Sequence, residues 1–441
     1  MSDTKFSDIL QEIVDSTDIL NRERLLKNDR YLAQTLVYDS VFGKGLFRAG
    51  KLKQTMTRHK ADINTECDRL KCNAGVQDLL DLVSSENGHI DKEVDSIPRY
   101  VRVNTLKTTT ECVIQEFESD GWEQLTYSQD YDSFIGCIGR LGDGQFMKDL
   151  HIPDLLVFPP GTDLHDNKFC ESGEIILQDK ASCFPAFILS PPEGACVIDC
   201  CAAPGNKTSH LASIMQNKGC VFISVKNVYI LIREKFLLLT KVKRGMKVLK
   251  ELINKAGVTC VETFRQNFCM ADPEDECFSD VEYILVDPSC SGSGIVGRMN
   301  HVTDDDSSSS KDRLQNLAAF QTSILIHALS FPNVKKVVYS TCSVLEEENE
   351  EVVEKVMSEM HEKFKVKKVV PDWPDRGHEC FEHASKCLRM SSEKALTNGF
   401  FVACFKRRKE KLESVETNEK SGKRKCENND DKNTKETKVD S

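Results

Sequence analysis

The chain predicts an α/β fold: a mostly parallel, doubly wound sheet preceded by a small α+β module and an N-terminal helical region. Three observations carry this. From residue 196 onward, short apolar runs alternate with helix-compatible segments, the pattern of βαβ units. The stretch Cys196–Leu211, CVIDCCAAPGNKTSHL, runs from a short apolar strand through small residues and a Pro-Gly break into a helix. That is the strand, tight turn and helix N-terminus at which an open α/β sheet lets a ligand approach the backbone. Residues 1–88 place apolar side chains at helical spacing.

Composition sets the limits. The 441 residues suffice for two or three domains, and 39% hydrophobic with 29% charged residues is a soluble globular balance. The apolar runs are all too short to span a bilayer, so no membrane association is expected. The start MSDTKFSDIL lacks a basic stretch before an apolar one, which predicts no secretory leader. The 19 cysteines are odd in number, scattered, and include no CxxC pair. Reduced thiols are expected, with no zinc ribbon, thioredoxin-like site or metal. A net charge of −11 argues against nucleic acid as a partner, although local basic surface decides that question.

The N-terminal helical region covers residues 1–95. Ser7-Asp8 precede Ile9, Leu10, Ile13 and Val14, and Leu32-Ala33, Leu36-Val37 and Val41-Phe42 continue the spacing. Its frequent basic residues, among them Arg22, Lys27, Arg58 and Lys60, suit a solvated helical face or RNA phosphates. Ser84–Asp91 reads as a linker. The small module spans 96–168, with a strand at Tyr100–Val103, a helix at Thr109–Ser119, a turn at Asp120-Gly121 and a strand at Leu155–Phe158. Gly161–Glu174 is a polar connection. The main domain spans 169–405, with Ser182 a candidate cap for the helix after Gln178-Asp179-Lys180. Strands are expected at Cys196–Asp199, Gly219–Val225, Thr259–Phe264, Val281–Val286, Val334–Tyr339 and Phe400–Phe405. Arg298–Asp312 reads as a low-complexity surface loop. Residues 406–441 read as a disordered charged tail. Its basic clusters Lys406–Lys409 and Lys423–Lys425 suit either a solvated tail or nuclear targeting.

Within this frame the small residues Ala202, Ala203 and Gly205 leave backbone N–H groups free to face a ligand, and Lys207 adds charge at a helix start. Cys290, in DPSCSGSG after the fourth strand, and Cys342, in YSTCS after the fifth, fall at carboxyl ends of a parallel sheet, beside Asp287. A buried free cysteine is the ordinary reading of the other seventeen. For these two, the setting among Gly, Ser and Pro at strand ends favours chemistry.

At these residues the chain resembles the Sun-domain RNA cytosine-C5 methyltransferases. DCCAAPGNKTSHLA is similar to their cofactor loop, DPSCSGSG to their fourth motif and YSTCS to their nucleophile motif. RVNTLK, QDKAS and NGFFVACFKR also match, in family order, so the likeness covers about Ile97–Arg407. The spellings DPSCSG and APGNKTSH are closest to the branch acting on large-subunit (25S/28S) ribosomal RNA. The resemblance implies a Rossmann-like class I methyltransferase sheet, S-adenosyl-L-methionine as methyl donor, and an RNA-recognition-like module before the catalytic domain. Its substrate would be an unstacked cytosine of large-subunit ribosomal RNA, its place the nucleus and nucleolus.

The implied chemistry accounts for the residue types. Cytosine C5 becomes nucleophilic only after a thiolate adds to C6. By resemblance Cys342 is that nucleophile, Asp287 bonds N3 of the base and Cys290 helps expel Cys342 after methylation. Lys207 holds the target and favours the thiolate. Cys201, Ala202, Ala203, Pro204, Gly205, Asn206, Lys207, Asn267 and Asp287 would contact the cofactor. The attacked base must leave its stack.

The sequence departs from the family after strand two. Members carry an acid there for the cofactor ribose, whereas this chain has none between Gly219 and Glu234. An apolar segment at about 223–243 stands in its place, readable as a helix, an extra strand with a helix, or translated non-coding sequence. Asn267 stands where Asp is common, Asn206 replaces a frequent Gly and Ser289 a frequent Pro. Losing one charge-assisted ribose bond removes about 1.5–3 kcal/mol of cofactor binding. The readings that follow are an active methyltransferase or a catalytically impaired RNA-binding or ribosome-assembly protein on the same fold. A thiol hydrolase has less support, because no sequence context nominates a His partner for Cys342.

Overall fold

The computed structural model describes residues 2–27, 29–42, 51–74, 97–224, 247–264, 268–296 and 308–409. The Ser84–Asp91 linker, residues 225–243 of the departing segment, Asn267, most of the 298–312 loop and the tail from 410 lie outside them.

Helices Ser2–Ser16, Ile19–Arg22, Arg30–Val41 and Lys51–Ala74 enclose a core of Ile13, Val14, Ile19, Leu36, Val37 and Ile63. The Asp29 carboxylate caps the third helix by accepting from Leu32 N–H. Two of the basic residues face acids within this bundle: Arg22 reaches Asp62 at 2.7 Å and Arg58 reaches Glu23 at 2.8 Å. For these two the helix-face role holds.

The small module is a five-stranded sheet of β1 (Arg99–Val103), β2 (Glu123–Leu125), β3 (Gln145–Lys148), β4 (Leu155–Phe158) and β5 (Ile175–Leu177), in order β2-β3-β4-β1-β5. Helix Thr110–Ser119 begins one residue late because Thr109 is its cap, accepting from Cys112 N–H. Phe117 packs against Trp122, Phe146, Phe158 and Phe169. The module does not end at residue 168. β5 forms an antiparallel ladder with β1, Val101 opposite Leu177, so the sheet extends through Leu177. The polar connection holds a short helix, Lys168–Ser172, ended by Gly173 at φ 78°. A Cβ there would lie 2.4 Å from the Lys255 carbonyl oxygen, so only glycine fits.

The main sheet contains β6 (Cys196–Asp199), β7 (Cys220–Ser224), β8 (Val261–Phe264), β9 (Val281–Val286), β10 (Lys336–Thr341), β11 (Phe364–Val366) and β13 (Phe400–Arg407), in order β11-β13-β10-β9-β6-β7-β8, with β12 (Leu388–Met390) beside β13. β10, β9, β6, β7 and β8 run parallel, and β13 is antiparallel to β10. β10 starts and ends two residues later than expected, which brings Cys342 directly after its last residue. β13 runs past residue 405: Lys406 pairs with Lys336, and Arg407 Nη2 donates to the Phe331 carbonyl at 2.8 Å. The first tail residues are therefore a strand end.

Ser182 is not the cap of helix Lys180–Leu189. Asp179 is, accepting from Ala181 N–H at 2.7 Å, and Ser182 lies in the first turn. Lys180 is fully buried, 2.6 Å from Asp149 of the small module and 4.3 Å from the Phe134 ring centre. Among the described residues no helix is long and apolar enough to cross a membrane.

Phe117→Ala should destabilise the small module by about 3–5 kcal/mol, because the ring is fully buried among four aromatic neighbours. Urea denaturation followed by Trp122 fluorescence reads this, since the indole ring lies against Phe117.

Candidate active site

Three parallel strands end level. Asp199 of β6 stands opposite Leu285, and Tyr339 of β10 opposite Val286 of β9, so the segments after β6, β9 and β10 open into one crevice. From the β6 side comes the loop 200–205 and helix Asn206–Ile214, from β9 comes Asp287 to Gly294, and from β10 comes Cys342.

Lys207 Nζ meets Asp287 Oδ2 at 2.8 Å, and Ser340 Oγ donates to Asp287 Oδ1 at 2.6 Å. Lys207 also lies 5.4 Å from the Phe400 ring centre. Burial opposes the lysine's charge, yet the Asp287 carboxylate, with Cys342 and Asp199 beyond it, holds its pKa above the usual value. The sulfurs of Cys290 and Cys342 are 3.2 Å apart. The two thiols are pushed in opposite directions. A hydrogen bond from Cys290, aided by Lys207, brings Cys342 below the usual thiol value against burial and Asp287. Cys290 is driven far up by that same bond, by burial, and by the negative charge of Cys342 and Glu348. Lys207 thus acts on Cys342, and Glu348 on Cys290.

The structure brings Cys342, Cys290, Asp287 and Lys207 together, with Cys201 to Asn206 in the loop beside them. Asn267 falls outside the described residues. Sequence reasoning missed the residues that hold these groups. Ser291 Oγ lies 3.1 Å from Ser293 Oγ and 3.3 Å from Ser343 Oγ, and Ser293 and Ser343 are 3.0 Å apart, a serine cluster joining the two thiol-bearing loops. Gly294 N–H donates to the Cys342 carbonyl and Gly399 N–H to the Gly294 carbonyl. A Cβ on Gly294 would fall 2.2 Å from the Gly399 oxygen, so the glycines of DPSCSGSG and NGFF are needed for close approach. Arg102 and Asn104 of RVNTLK are also buried at the crevice. Arg102 donates from Nη2 to Ser209 Oγ at 2.8 Å, and Asn104 donates to the carbonyls of Gly173 and Ala256. Family spelling was the signal for these two; for the serines there was none.

The amino-acid end of S-adenosylmethionine carries an ammonium and a carboxylate, and the loop after β6 offers groups for both. Ala203 and Pro204 are exposed and Gly205 sits at φ 119°, so the loop presents backbone with little side chain. Asn206 Oδ1 is buried and accepts no hydrogen bond among the described residues, an open acceptor for a donor-bearing ligand. Asp199, pushed up to about 6 chiefly by burial, accepts from Thr208 Oγ1 at 2.7 Å. These residues fit the amino-acid end. β7 ends in Ser224, and the segment that follows it, where the family carries its acid, lies outside the described residues.

A parallel sheet with an antiparallel β13, and a small-residue loop after its first strand at the carboxyl edge, are the features of a class I methyltransferase. Family models agree along the chain: the NOL1/NOP2/Sun domain family member 5 N-terminal domain at residues 2–83, its ferredoxin-like domain at 97–178, and the 16S rRNA methyltransferase RsmB/F at 186–406. The chain belongs to the NOL1/NOP2/Sun domain family of RNA cytosine-C5 methyltransferases, in the branch of its member 5. The mouse 28S rRNA (cytosine-C(5))-methyltransferase is 40% identical over 91% of this chain and 82% of its own. The Caenorhabditis elegans 26S rRNA enzyme is 35% identical over 91% and 88%, and the Schizosaccharomyces pombe 25S rRNA enzyme 34% over 90% and 81%. In fold the chain is similar to a methyltransferase homolog from Pyrococcus horikoshii (TM-score 0.54, 19% identity, 89% of this chain and 99% of that one). It is similar too to NSun6 of the same organism, solved with SFG (TM-score 0.51, 20% identity, 74% and 96%).

Lys207→Met should move the pH profile of Cys342 alkylation upward by about one unit, since the cation that favours the thiolate is gone and Asp287 is left unpaired. Iodoacetamide pulses at graded pH, read at the Cys342 peptide by mass spectrometry, measure this.

Proposed function

We propose that this chain transfers a methyl group from S-adenosylmethionine to C5 of an unstacked cytosine in large-subunit ribosomal RNA, in the nucleus and nucleolus. The observation that carries the reading is the thiol pair, Cys290 and Cys342 at 3.2 Å, set beside the Lys207–Asp287 ion pair. Relatives named for methylating 28S, 26S and 25S rRNA support the substrate class.

Cys342, as thiolate, adds to C6 of the base, the displaced ring electrons move to N3, and N3 takes up a proton, passed from solvent through the Asp287 carboxyl group, whose carboxylate then accepts the N3–H hydrogen bond. Lys207 keeps Asp287 oriented and stabilises the thiolate. Residues Cys201–Asn206 would hold the amino-acid end of S-adenosylmethionine, which when bound supplies an electrophilic methyl to C5. Loss of the C5 proton then returns the C6–S electron pair to Cys342, and Cys290 is the group in reach of that sulfur as the bond breaks.

A second reading, an RNA-binding or assembly protein impaired in catalysis, draws on the sequence after strand two, which has no acid between Gly219 and Glu234. The two separate by titrating the protein with S-adenosylmethionine and assaying methyl incorporation into unmodified large-subunit rRNA. Binding with incorporation supports the enzyme; tight rRNA binding without cofactor binding supports the alternative. Cys342→Ala should abolish incorporation. Cys290→Ala should accumulate a protein–RNA adduct stable to denaturing electrophoresis, because the adduct forms but is not released.

A further inference from the structure

Two acids in the run Glu346–Glu350 are buried, and they are treated differently. Glu350 is bound by Arg389 through two short bonds, 2.7 and 2.6 Å. Glu348 is fully buried and, among the described residues, has no cation in ion-pair range. Its Oε1 accepts from Ser291 N–H at 2.9 Å and from Gln321 Nε2 at 2.9 Å, and its Oε2 accepts from Ser291 Oγ at 2.5 Å. Its partners are two N–H donors and the Ser291 hydroxyl, so three bonds tie the buried carboxyl group to the Cys290 loop and to Gln321. A buried carboxylate without a countercharge is costly, so its retention asks for a use.

That use lies one residue from its partner. Ser291 follows Cys290, and both bonds from Ser291 run to Glu348. Gln321, on helix Ser308–Ser330, donates to Glu348 and also to the Ser289 carbonyl, on the other side of Cys290. The Cys290 loop is therefore gripped on both flanks. Of the charged groups around the thiol pair, Lys207 is bound to Asp287 and Glu348 to Ser291, the residue after Cys290; Asp199 and the Tyr339 phenol, whose O–H donates to the Glu348 carbonyl at 2.6 Å, are other titratable groups nearby.

We infer that Glu348 is a positioning residue for the methyl-transfer site: its buried carboxyl group, bonded to Ser291 and Gln321, fixes the Cys290 loop beside Cys342 and sets the two thiols in different surroundings. The inference rests on the reading of Cys342 as nucleophile. It adds the group that separates the roles of two thiols standing in van der Waals contact. The raised thiol of Cys290, to which the Glu348 charge contributes, agrees with it.

The test is paired alkylation of the full chain with iodoacetamide between roughly pH 6 and 9, each thiol read from its own peptide. In the unsubstituted protein Cys342 should be modified well ahead of Cys290. Glu348→Gln keeps the size of the side chain and lets its amide face Ser291 Oγ, but removes the charge. The Cys342-to-Cys290 ratio should fall about tenfold, with the Cys290 profile moving to lower pH. Glu348→Asp, which keeps the charge, should preserve the order of modification. An unchanged ratio in a folded Glu348→Gln protein, judged by near-UV circular dichroism, overturns the inference and leaves the nucleophile assignment standing. So does loss of the order in Glu348→Asp, a variant that keeps the test open if Glu348→Gln does not fold. Modification of Cys290 first in the unsubstituted protein overturns the nucleophile assignment itself.

Discussion

The Lys207–Asp287 ion pair exists only because β6, β9 and β10 run parallel and end level. Lys207 is carried on the helix that follows β6, Asp287 directly follows β9, and Ser340, which donates to Asp287, lies near the end of β10. Antiparallel placement of β9 between its neighbours would send Asp287 to the opposite edge and leave the lysine without its anion in a largely buried crevice. Removing one member of such a pair costs more than the pair contributes, because the survivor stays desolvated. The ladder register thus governs the electrostatics of the site, and the positions of both thiols follow from the same strand ends.

The small module is joined to that crevice through polar bonds as well as apolar packing. Arg102 leaves β1, fully buried, to meet Gln178 and Ser209, and its Nη2 lies 3.4 Å from the Asn206 carbonyl oxygen. Asn104 bonds across to Gly173 and Ala256 and accepts from Ser213 Oγ. Lys180 binds back to Asp149 beneath the Phe134 and Trp373 rings. Buried groups of this kind tolerate little displacement, since each would be left unpaired. The small module therefore holds the helix that follows β6, and the geometry of one constrains the other.

What was legible in the sequence was local. The strand Cys196–Asp199, the turn after it and the Asp287–Cys290 and Cys342 motifs are contiguous signals, and their residues meet at the crevice because strand ends of a parallel sheet meet. What was not legible depended on distant partners. Ile175-Ile176-Leu177 is too short to announce its sheet, and only the ladder with β1 assigns it to the small module. Ser182 and Asp179 are both capping residue types, and the choice between them is settled by chain geometry. The acids after Cys342 carry no signal of burial in the sequence, yet Glu348 and Glu350 are buried. Burial of a charge is set by what packs over it, here helix Ser308–Ser330 and Arg389, and neither is near in sequence.

The chemistry proposed for this site asks two neighbouring thiols to behave differently. A symmetric surrounding would give them nearly equal acidity and leave either free to attack. The surroundings of the two thiols differ: Lys207 is bound to Asp287 in the crevice, and Glu348 is bound to Ser291, the residue after Cys290. Cluster rigidity is what makes such a difference persist. The hydroxyls of Ser291, Ser293 and Ser343 tie the two loops to each other, and the backbone contact of Gly294 with Gly399 holds them against β13. A loop free to move by an ångström or two would blur the charges each thiol sees, because their separation is only 3.2 Å. The small residues of DPSCSGSG therefore serve acid–base chemistry indirectly: by allowing close packing, they keep each sulfur in its own field.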